Sequence, residues 1–366
     1  MGAKNFVQLQ GAQKTMGLQR FLDELVSPLL SKTAWKTQLA QEEFPGIIGL
    51  EVTSICNLKC PMCPRTFSPR KFGHMPLPLF KRLMDEIAQY DAQNLIEQVA
   101  LQGYGEIFLH PDWFEIIEYA SEKITNAHLR LDSNGTIMKP SVVDKVFGSK
   151  LRSLIISVDG VDEKSYNFLR AGGKFHQTIE NVQYFIQKRK QEPENGPYTS
   201  VQVIESDYTR EYVSGFKEYW AEQLKGTERM EISVIQYHDF AGQIENDEFE
   251  HRRQSGLHVN MPCYRLTYEL DVSSDGIATV CCMDSERQID VGNAHDQSIS
   301  EMWNGEKLHR YREEMRQANY DSLSLCKTCP HSQKFLGNYL SPTGLSRAVS
   351  RLTNLSKRYT QKKLFE

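Results

Sequence analysis

The chain has 366 residues, a formal net charge of −4, 40% hydrophobic residues and 25% charged residues. That length allows one large core with a smaller appended domain, and the balance is ordinary for a globular protein. Nothing in the bulk charge calls for a nucleic-acid partner, and no run of about 18 apolar residues is present to span a membrane.

Residues 1–45 read as a helical extension with Leu18, Phe21, Leu22, Leu25 and Val26 on one stripe. Residues 1–20 are polar and lack the apolar core of a signal peptide, so a cytoplasmic location, where thiols persist, is expected. From residue 47 the pattern becomes repetitive. Strands are predicted at 47–54, 95–101, 128–131, 151–157, 198–204 and 230–235. Helices are predicted at 79–88, 111–123, 140–147, 175–189 and 212–224. Six strands alternating with helices predict a parallel α/β core over 46–237, a curved open sheet or partial barrel with its function at the C-terminal strand ends. Residues 191–197 are polar with two prolines and read as a surface loop. Residues 238–261 read as a linker or lid. A smaller domain is expected over 262–340, with a hairpin of strands 268–272 and 277–281 around a turn at 273–276. Residues 341–366 contain a basic helix candidate, with Arg347, Arg351, Lys357, Arg358, Lys362 and Lys363 opposite Leu345, Val349, Leu352 and Leu355. Two readings of it stay open: a helix packed on the body, and a peripheral contact with a membrane surface or an acidic partner.

Cysteine placement carries the most information. Cys56, Cys60 and Cys63 fall within eight residues, directly after the first strand. Cys263, Cys281, Cys282, Cys326 and Cys329 occupy the last third of the chain. A disulfide scaffold normally staples a much smaller secreted chain, so two separate metal sites explain the clustering better. Three thiolates spaced CxxxCxxC can reach three irons of a [4Fe-4S] cube from one loop and leave the fourth iron open. Structural zinc with His74 as fourth ligand is the alternative. Cys263, Cys281, Cys326 and Cys329 form a second set, which on composition alone suits zinc or an iron–sulfur cluster equally.

The first motif, Cys56-Asn-Leu-Lys-Cys60-Pro-Met-Cys63 in a βα loop, resembles that of the radical S-adenosylmethionine (SAM) superfamily. The resemblance implies a partial (β/α)6 barrel and extends to successive strand ends. Gly103-Tyr-Gly105-Glu106 resembles the segment holding the SAM amino group. Ser133 and Asn134, in Asp132-Ser-Asn-Gly135, resemble the segment near the ribose. Ser157 and Asp159, with Arg170 downstream, resemble the residues near the SAM carboxylate. Gly276, Cys281-Cys282, Asp284, Gly292-Asn293, Met302-Trp-Asn-Gly305, Arg312 and the Cys326/Cys329 pair resemble the SPASM/twitch domain of the same superfamily. Five cysteines there match its single-cluster form, as in the twitch region of 2-deoxy-scyllo-inosamine dehydrogenase.

The resemblance implies two [4Fe-4S] clusters, one binding SAM on Cys56, Cys60 and Cys63 and one auxiliary on Cys263, Cys281, Cys326 and Cys329. It implies an enzyme that uses a 5′-deoxyadenosyl radical to abstract hydrogen, with a flavodoxin- or ferredoxin-type reductant as partner. The expected substrate is a hydroxylated small molecule (sugar, aminocyclitol or nucleoside), oxidised with help from the auxiliary cluster. Epimerisation with Cys282 as hydrogen donor, peptide maturation and a non-enzymatic iron–sulfur or zinc scaffold are the alternatives. A leader-binding domain would need more chain than precedes the first strand, which argues against peptide maturation. Arg65, Arg70, Tyr237, His238 and Asp239 are the candidate substrate contacts, because two follow the cluster loop and three follow the sixth strand.

Overall fold

The computed structural model describes residues 21–29, 31–32, 43–206, 209–244, 258–260, 262–327, 329 and 332–335. The basic helix expected within 341–366, most of the N-terminal extension and much of the expected lid lie outside the described residues.

Six parallel strands form in chain order: β1 (Ile47–Leu50), β2 (Gln98–Leu101), β3 (His128–Ser133), β4 (Ser153–Ser157), β5 (Tyr198–Glu205) and β6 (Met230–Gln236). Between them run α1 (Leu77–Asp91), α2 (Trp113–Lys123), α3 (Pro140–Gly148), α4 (Glu163–Leu169), α5 (Phe175–Gln191) and α6 (Arg210–Gln223). This is the partial (β/α)6 barrel. Successive strand residues face opposite sides of a sheet. On one side Ile48, Leu50, Val99, Leu101, Leu129, Leu131, Leu154 and Ile156 are all fully buried. Each such side chain contributes roughly 1.5–3 kcal/mol relative to exposure. The opposite register carries Glu51, Gln98, Arg130 and Asp132, which line a cavity.

Local chemistry sets the helix ends. Pro76 and Pro78 start α1, where an N–H would be unpaired in any case. Its apolar face, Leu79, Phe80, Leu83, Met84 and Ile87, is buried. Asp91 closes it and accepts from the amides of Thr125, Asn126 and Ala127 at 2.7, 3.0 and 2.6 Å, which seats the entry to β3. Helix α4 is held by a capping box between Asp162 and Ser165. At seven residues it is too short to show a periodic pattern, and it was not expected from the sequence.

Strand β1 ends at Leu50, four residues earlier than expected. The Glu51 amide donates to Val272 O, and Thr53 instead bridges to His74, closing the loop that carries the first three cysteines. The C-terminal hairpin forms as β8 (Glu269–Val272) and β9 (Ile277–Thr279), and β10 (Asp290–Asn293) follows. Strand β8 lies parallel to β1, giving the order β10-β9-β8-β1-β2-β3-β4-β5-β6. Before it comes α7 (Arg265–Tyr268), and after β10 come α8 (Ile299–Trp303) and α9 (Glu306–Arg316). The α8 amides of Ile299 and Ser300 donate to the Glu86 carboxylate of α1, both at 2.9 Å.

The chain divides into two compact units. One is formed by residues 39–245 and 264–312 and contains the nine-stranded sheet; the other takes 1–38, 246–263 and 313–366. In the second unit β7 (His258–Asn260) pairs antiparallel with β11 (Gln333–Phe335), and the Asn260 amide donates to Ser27 Oγ at 2.9 Å. Among the described residues no helix is long and apolar enough to cross a membrane.

Candidate active site

The loop after β1 places Cys56, Cys60 and Cys63 on one hollow of about 180 Å³. Leu58, Cys60, Met62 and Leu169 form a small buried apolar cluster, against which Cys56, Cys63, Ile204 and Tyr237 pack. Burial raises the Cys56 thiol above its ordinary range and pushes Cys63 up to about 12. Polar hydrogens point at two of the sulfurs. Asn134 Nδ2 and the Leu58 amide donate to Cys56 Sγ at 3.7 and 3.5 Å, and Arg170 Nη1 donates to Cys60 Sγ at 3.9 Å.

The same hollow is lined by Gly103, Gly105, Glu106, Ser133, Asn134, Ser157 and Arg170, contributed by the ends of β2, β3 and β4 and the turn after α4. Glu106 is buried and accepts from Ser133 Oγ at 2.9 Å and from the Asn134 amide at 2.7 Å. Desolvation raises its carboxyl to about 7 despite these bonds. Asp159 sits behind the hollow as the partner of Arg170, accepting from its guanidinium and, at 2.6 Å, from the Ile204 amide. Gly105 is dictated by space: a Cβ there would lie 2.1 Å from the Thr53 carbonyl oxygen.

A second cavity of about 520 Å³ shares Cys60, Cys63, Gly103, Tyr104, Asp132 and Arg170 with this hollow. Its walls are strongly charged. Arg70 pairs with Glu51 at 3.0 Å, Arg130 with Asp132 at 2.7 Å, and Arg265 with Glu269. Tyr237, His238, Cys281 and Cys282 also line it. Arg265 Nη1 donates to Cys282 Sγ at 3.1 Å, and the Cys282 amide donates to Glu269 Oε1 at 3.2 Å. The hydroxyl of Tyr104 reaches the Cys282 carbonyl at 2.7 Å. Burial lowers the His238 imidazole and raises the Cys282 thiol.

The other candidate contacts distribute differently. Arg65 braces the cysteine loop, donating from Nε to Ser54 O at 2.7 Å and lying over the Phe72 ring, so it borders the hollow rather than the larger cavity. Asp239 is buried at the start of the turn Phe240–Gly242. Cys263, Cys326 and Cys329 are buried in the second unit around Tyr320, whose phenol is raised by burial and by those three sulfurs. None of the eight cysteines forms a disulfide.

The family model of the radical SAM superfamily matches residues 50–192, and that of the SPASM iron–sulfur cluster-binding domain matches residues 263–330. The chain belongs to the radical SAM superfamily. An AdoMet-dependent heme synthase from Methanosarcina barkeri is 32% identical over 149 residues, 40% of this chain and 40% of that one, so the match spans less than half of that relative. An S-adenosyl-L-methionine-dependent 2-deoxy-scyllo-inosamine dehydrogenase from Niallia circulans is 22% identical over 285 residues, 78% of this chain and 92% of that one. The crystal structure of Streptococcus suis SuiB bound to precursor peptide SuiA superposes with a TM-score of 0.57 at 16% identity, covering 90% of this chain and 75% of that one. That likeness shows a common fold.

A radical SAM enzyme with a SPASM domain implies SAM and iron–sulfur clusters as cofactors. The loop of Cys56, Cys60 and Cys63 fits such a group: three thiols border one hollow, two of them receive N–H donors, and apolar side chains shield them. Among the described residues no three His, Cys, Asp or Glu side chains converge as single-ion ligands would. A cube takes one thiolate per iron and needs them apart.

Sequence reasoning missed Glu51, Arg130, Asp132, Arg265, Glu269 and Asp271, all on the larger cavity. For five of them the signal was present: each is a charged residue at alternate positions of a strand or strand end whose other positions are apolar, as in His128–Ser133 and Glu269–Val272, whereas Arg265, on α7, carries no such pattern.

Proposed function

We propose that this radical SAM enzyme oxidises a hydroxylated small molecule of sugar, aminocyclitol or nucleoside size in the larger cavity, with residues 46–237 as the core and 262–340 as the auxiliary-cluster region. The observation that carries the reading is the polar chamber of about 520 Å³ sharing a wall with the three-cysteine hollow. A site this rich in paired charges suits a ligand with many hydroxyls better than an apolar one.

In this reading Cys56, Cys60 and Cys63 hold three irons of one [4Fe-4S] cluster, and Cys263, Cys281, Cys326 and Cys329 hold the auxiliary one. When bound, the cofactors supply a 5′-deoxyadenosyl radical that takes hydrogen from carbon and an auxiliary acceptor for the remaining electron. The chain's own contribution is placement. Glu106, Ser133, Asn134, Ser157 and Arg170 line the side of the hollow where SAM would lie, with Asp159 fixing Arg170. Gln98, Gln102, Arg130 and Asp132 offer donors and acceptors to substrate hydroxyls. Tyr104 and Phe240, with ring centroids 5.9 Å apart, add aromatic surface to the same wall and help exclude water. A flavodoxin- or ferredoxin-type protein would deliver the electron.

The test is anaerobic reconstitution with iron and sulfide counts, followed by 5′-deoxyadenosine assay with dithionite over a panel of sugars, cyclitols and nucleosides. About eight irons per chain and one 5′-deoxyadenosine per ketone formed are expected. Bound zinc without SAM cleavage would refute the reading. The Cys282 thiol on the cavity wall favours a second outcome, epimerisation. In deuterium oxide an epimerase would leave deuterium on a carbon of unchanged oxidation state, whereas a dehydrogenase releases a ketone.

A further inference from the structure

The charges on the cavity wall do not balance pair by pair. Among the described residues five arginines line it, and each faces a carboxylate: Arg70 with Glu51, Arg130 with Asp132, Arg170 with Asp159, Arg265 with Glu269, and Arg287 with Asp275. Asp284, also on the wall, is satisfied by the amides of Gln288 and Ile289 at 2.9 and 2.8 Å. One carboxyl is left over. Asp271, on β8 in register with Gly49, has its Oδ2 buried with no nitrogen or hydroxyl donor among the described residues. Its Oδ1 occupies the space a side chain at 49 would need, since a Cβ on Gly49 would fall 1.9 Å from it. The missing side chain at 49 is what lets this carboxyl lie against the sheet. Glu269, two residues away on the same face, is a second carboxylate within hydrogen-bond reach, so the two need a proton or a cation between them, and the Glu269 oxygens also serve Arg265 and the Cys282 amide.

A buried carboxyl beside another carboxylate is costly unless it is protonated or meets a cation. Desolvation and Glu269 both push the Asp271 carboxyl upward. Among the described residues each arginine on the wall already pairs with another carboxylate, and Arg265, the cation that draws the Asp271 carboxyl back down, is shared with Glu269. A ligand can bring a further cation.

We propose that Asp271, backed by Glu269, is a subsite for a protonated amine, so that the substrate is an amine-bearing hydroxylated molecule rather than a neutral polyol. This rests on the larger cavity being the substrate chamber. A primary ammonium suits the place, because it is compact and brings three donors, one for Oδ2 and others for neighbouring carboxylate oxygens. A carboxylate or phosphate ligand would instead meet the surplus negative charge.

The experiment uses the reconstituted, SAM-loaded enzyme and measures equilibrium binding of glucosamine, N-acetylglucosamine and glucose by calorimetry near neutral pH. Glucosamine is expected to bind at least about tenfold more tightly than the other two, and Asp271→Asn to remove that preference while iron content and SAM affinity stay at wild-type level. Equal affinities for the three sugars, absence of binding by all of them, or an unchanged preference in Asp271→Asn would overturn the proposal. The comparison of sugars on the unaltered enzyme stands even where the variant folds poorly. Amine-selective binding without any oxidised product would keep the subsite and sink the dehydrogenase reading. Turnover of neutral polyols with no amine preference would do the reverse.

Discussion

Gly105 is the position where the smallest change has the best-defined consequence. A Cβ added there lies 2.1 Å from Thr53 O, 2.7 Å from Thr53 C and 2.9 Å from Ile55 O. All three are backbone atoms of the cysteine loop, so no flexible side chain can swing aside. The loop is tied to the same turn by the Glu106 amide, which donates to Ile55 O at 2.9 Å. Restoring ordinary carbon–oxygen contact requires the loop to retreat by on the order of 1 Å. Overpacking of this kind costs about 1–3 kcal/mol, which a protein of this size survives as a fall of a few degrees in Tm. Function should suffer far more, because the displaced segment ends one residue before Cys56 and a shift of about 1 Å can cost roughly 100-fold in rate. Gly105→Ala is therefore expected to fold, to bind less iron at the first site and to form 5′-deoxyadenosine about 100-fold more slowly under dithionite. Wild-type iron content with a rate within about threefold would refute the claim that this close approach positions the loop.

Asp159 has a φ of 62°, a conformation asparagine tolerates well, so Asp159→Asn removes the charge while leaving the backbone in place. Stranding Arg170 should cost about 3–5 kcal/mol in urea unfolding and weaken SAM binding; a loss below about 1 kcal/mol would mean that Arg170 finds another anion. For Glu106 the folded carboxyl titrates near 7 against an ordinary 4.5. The native state thus holds a proton that the unfolded chain releases between those values, and this contribution to stability falls as pH rises through the window. Urea midpoints of the metal-free protein at about pH 5 and about pH 8 should drop more for wild type than for Glu106→Gln, and parallel drops would contradict the assignment. Cys326→Ala should lose about four irons and keep SAM cleavage without substrate; loss of all iron would show that the two cysteine sets are not independent.

The barrel was readable because its strands and helices carry opposite periodicities, and the cysteine loop because CxxxCxxC is a spacing few other chemistries use. Element ends were less readable for specific reasons. Strand β1 stops early because Thr53 turns to His74, a partner 21 residues away that no local pattern announces. Helix α4 is specified by one capping box rather than by an apolar stripe. Arg65 is expected as a substrate contact from its place after the cysteines, whereas its guanidinium is used by Ser54 O, Leu58 O and the Phe72 ring. Tyr237 and His238 do face the cavity, whereas Asp239, next in the chain, turns inward to open the following turn.

The residues least visible in the sequence are the ones that give the chamber its character. In a parallel sheet covered by helices both faces are usually apolar, and alternation of charge with leucine normally marks a face open to solvent. Here Leu129, Arg130, Leu131 and Asp132 alternate in the middle of the sheet, between β2 and β4, where no edge reaches water. Leu270 and Asp271 repeat the pattern on β8, also an interior strand. Helices cover the leucine side, so the charged side needs a polar space, and the half-open cavity against it provides one. Charge alternating with leucine on strands that the βα repeat forces to be internal is itself evidence for a polar chamber. It puts the polar chemistry of the chamber on the bodies of β2, β3 and β8 as well as on the loops beyond their ends. Substitutions there, such as Arg130→Leu or Asp271→Asn, should alter which molecules bind while leaving intact the three-cysteine loop.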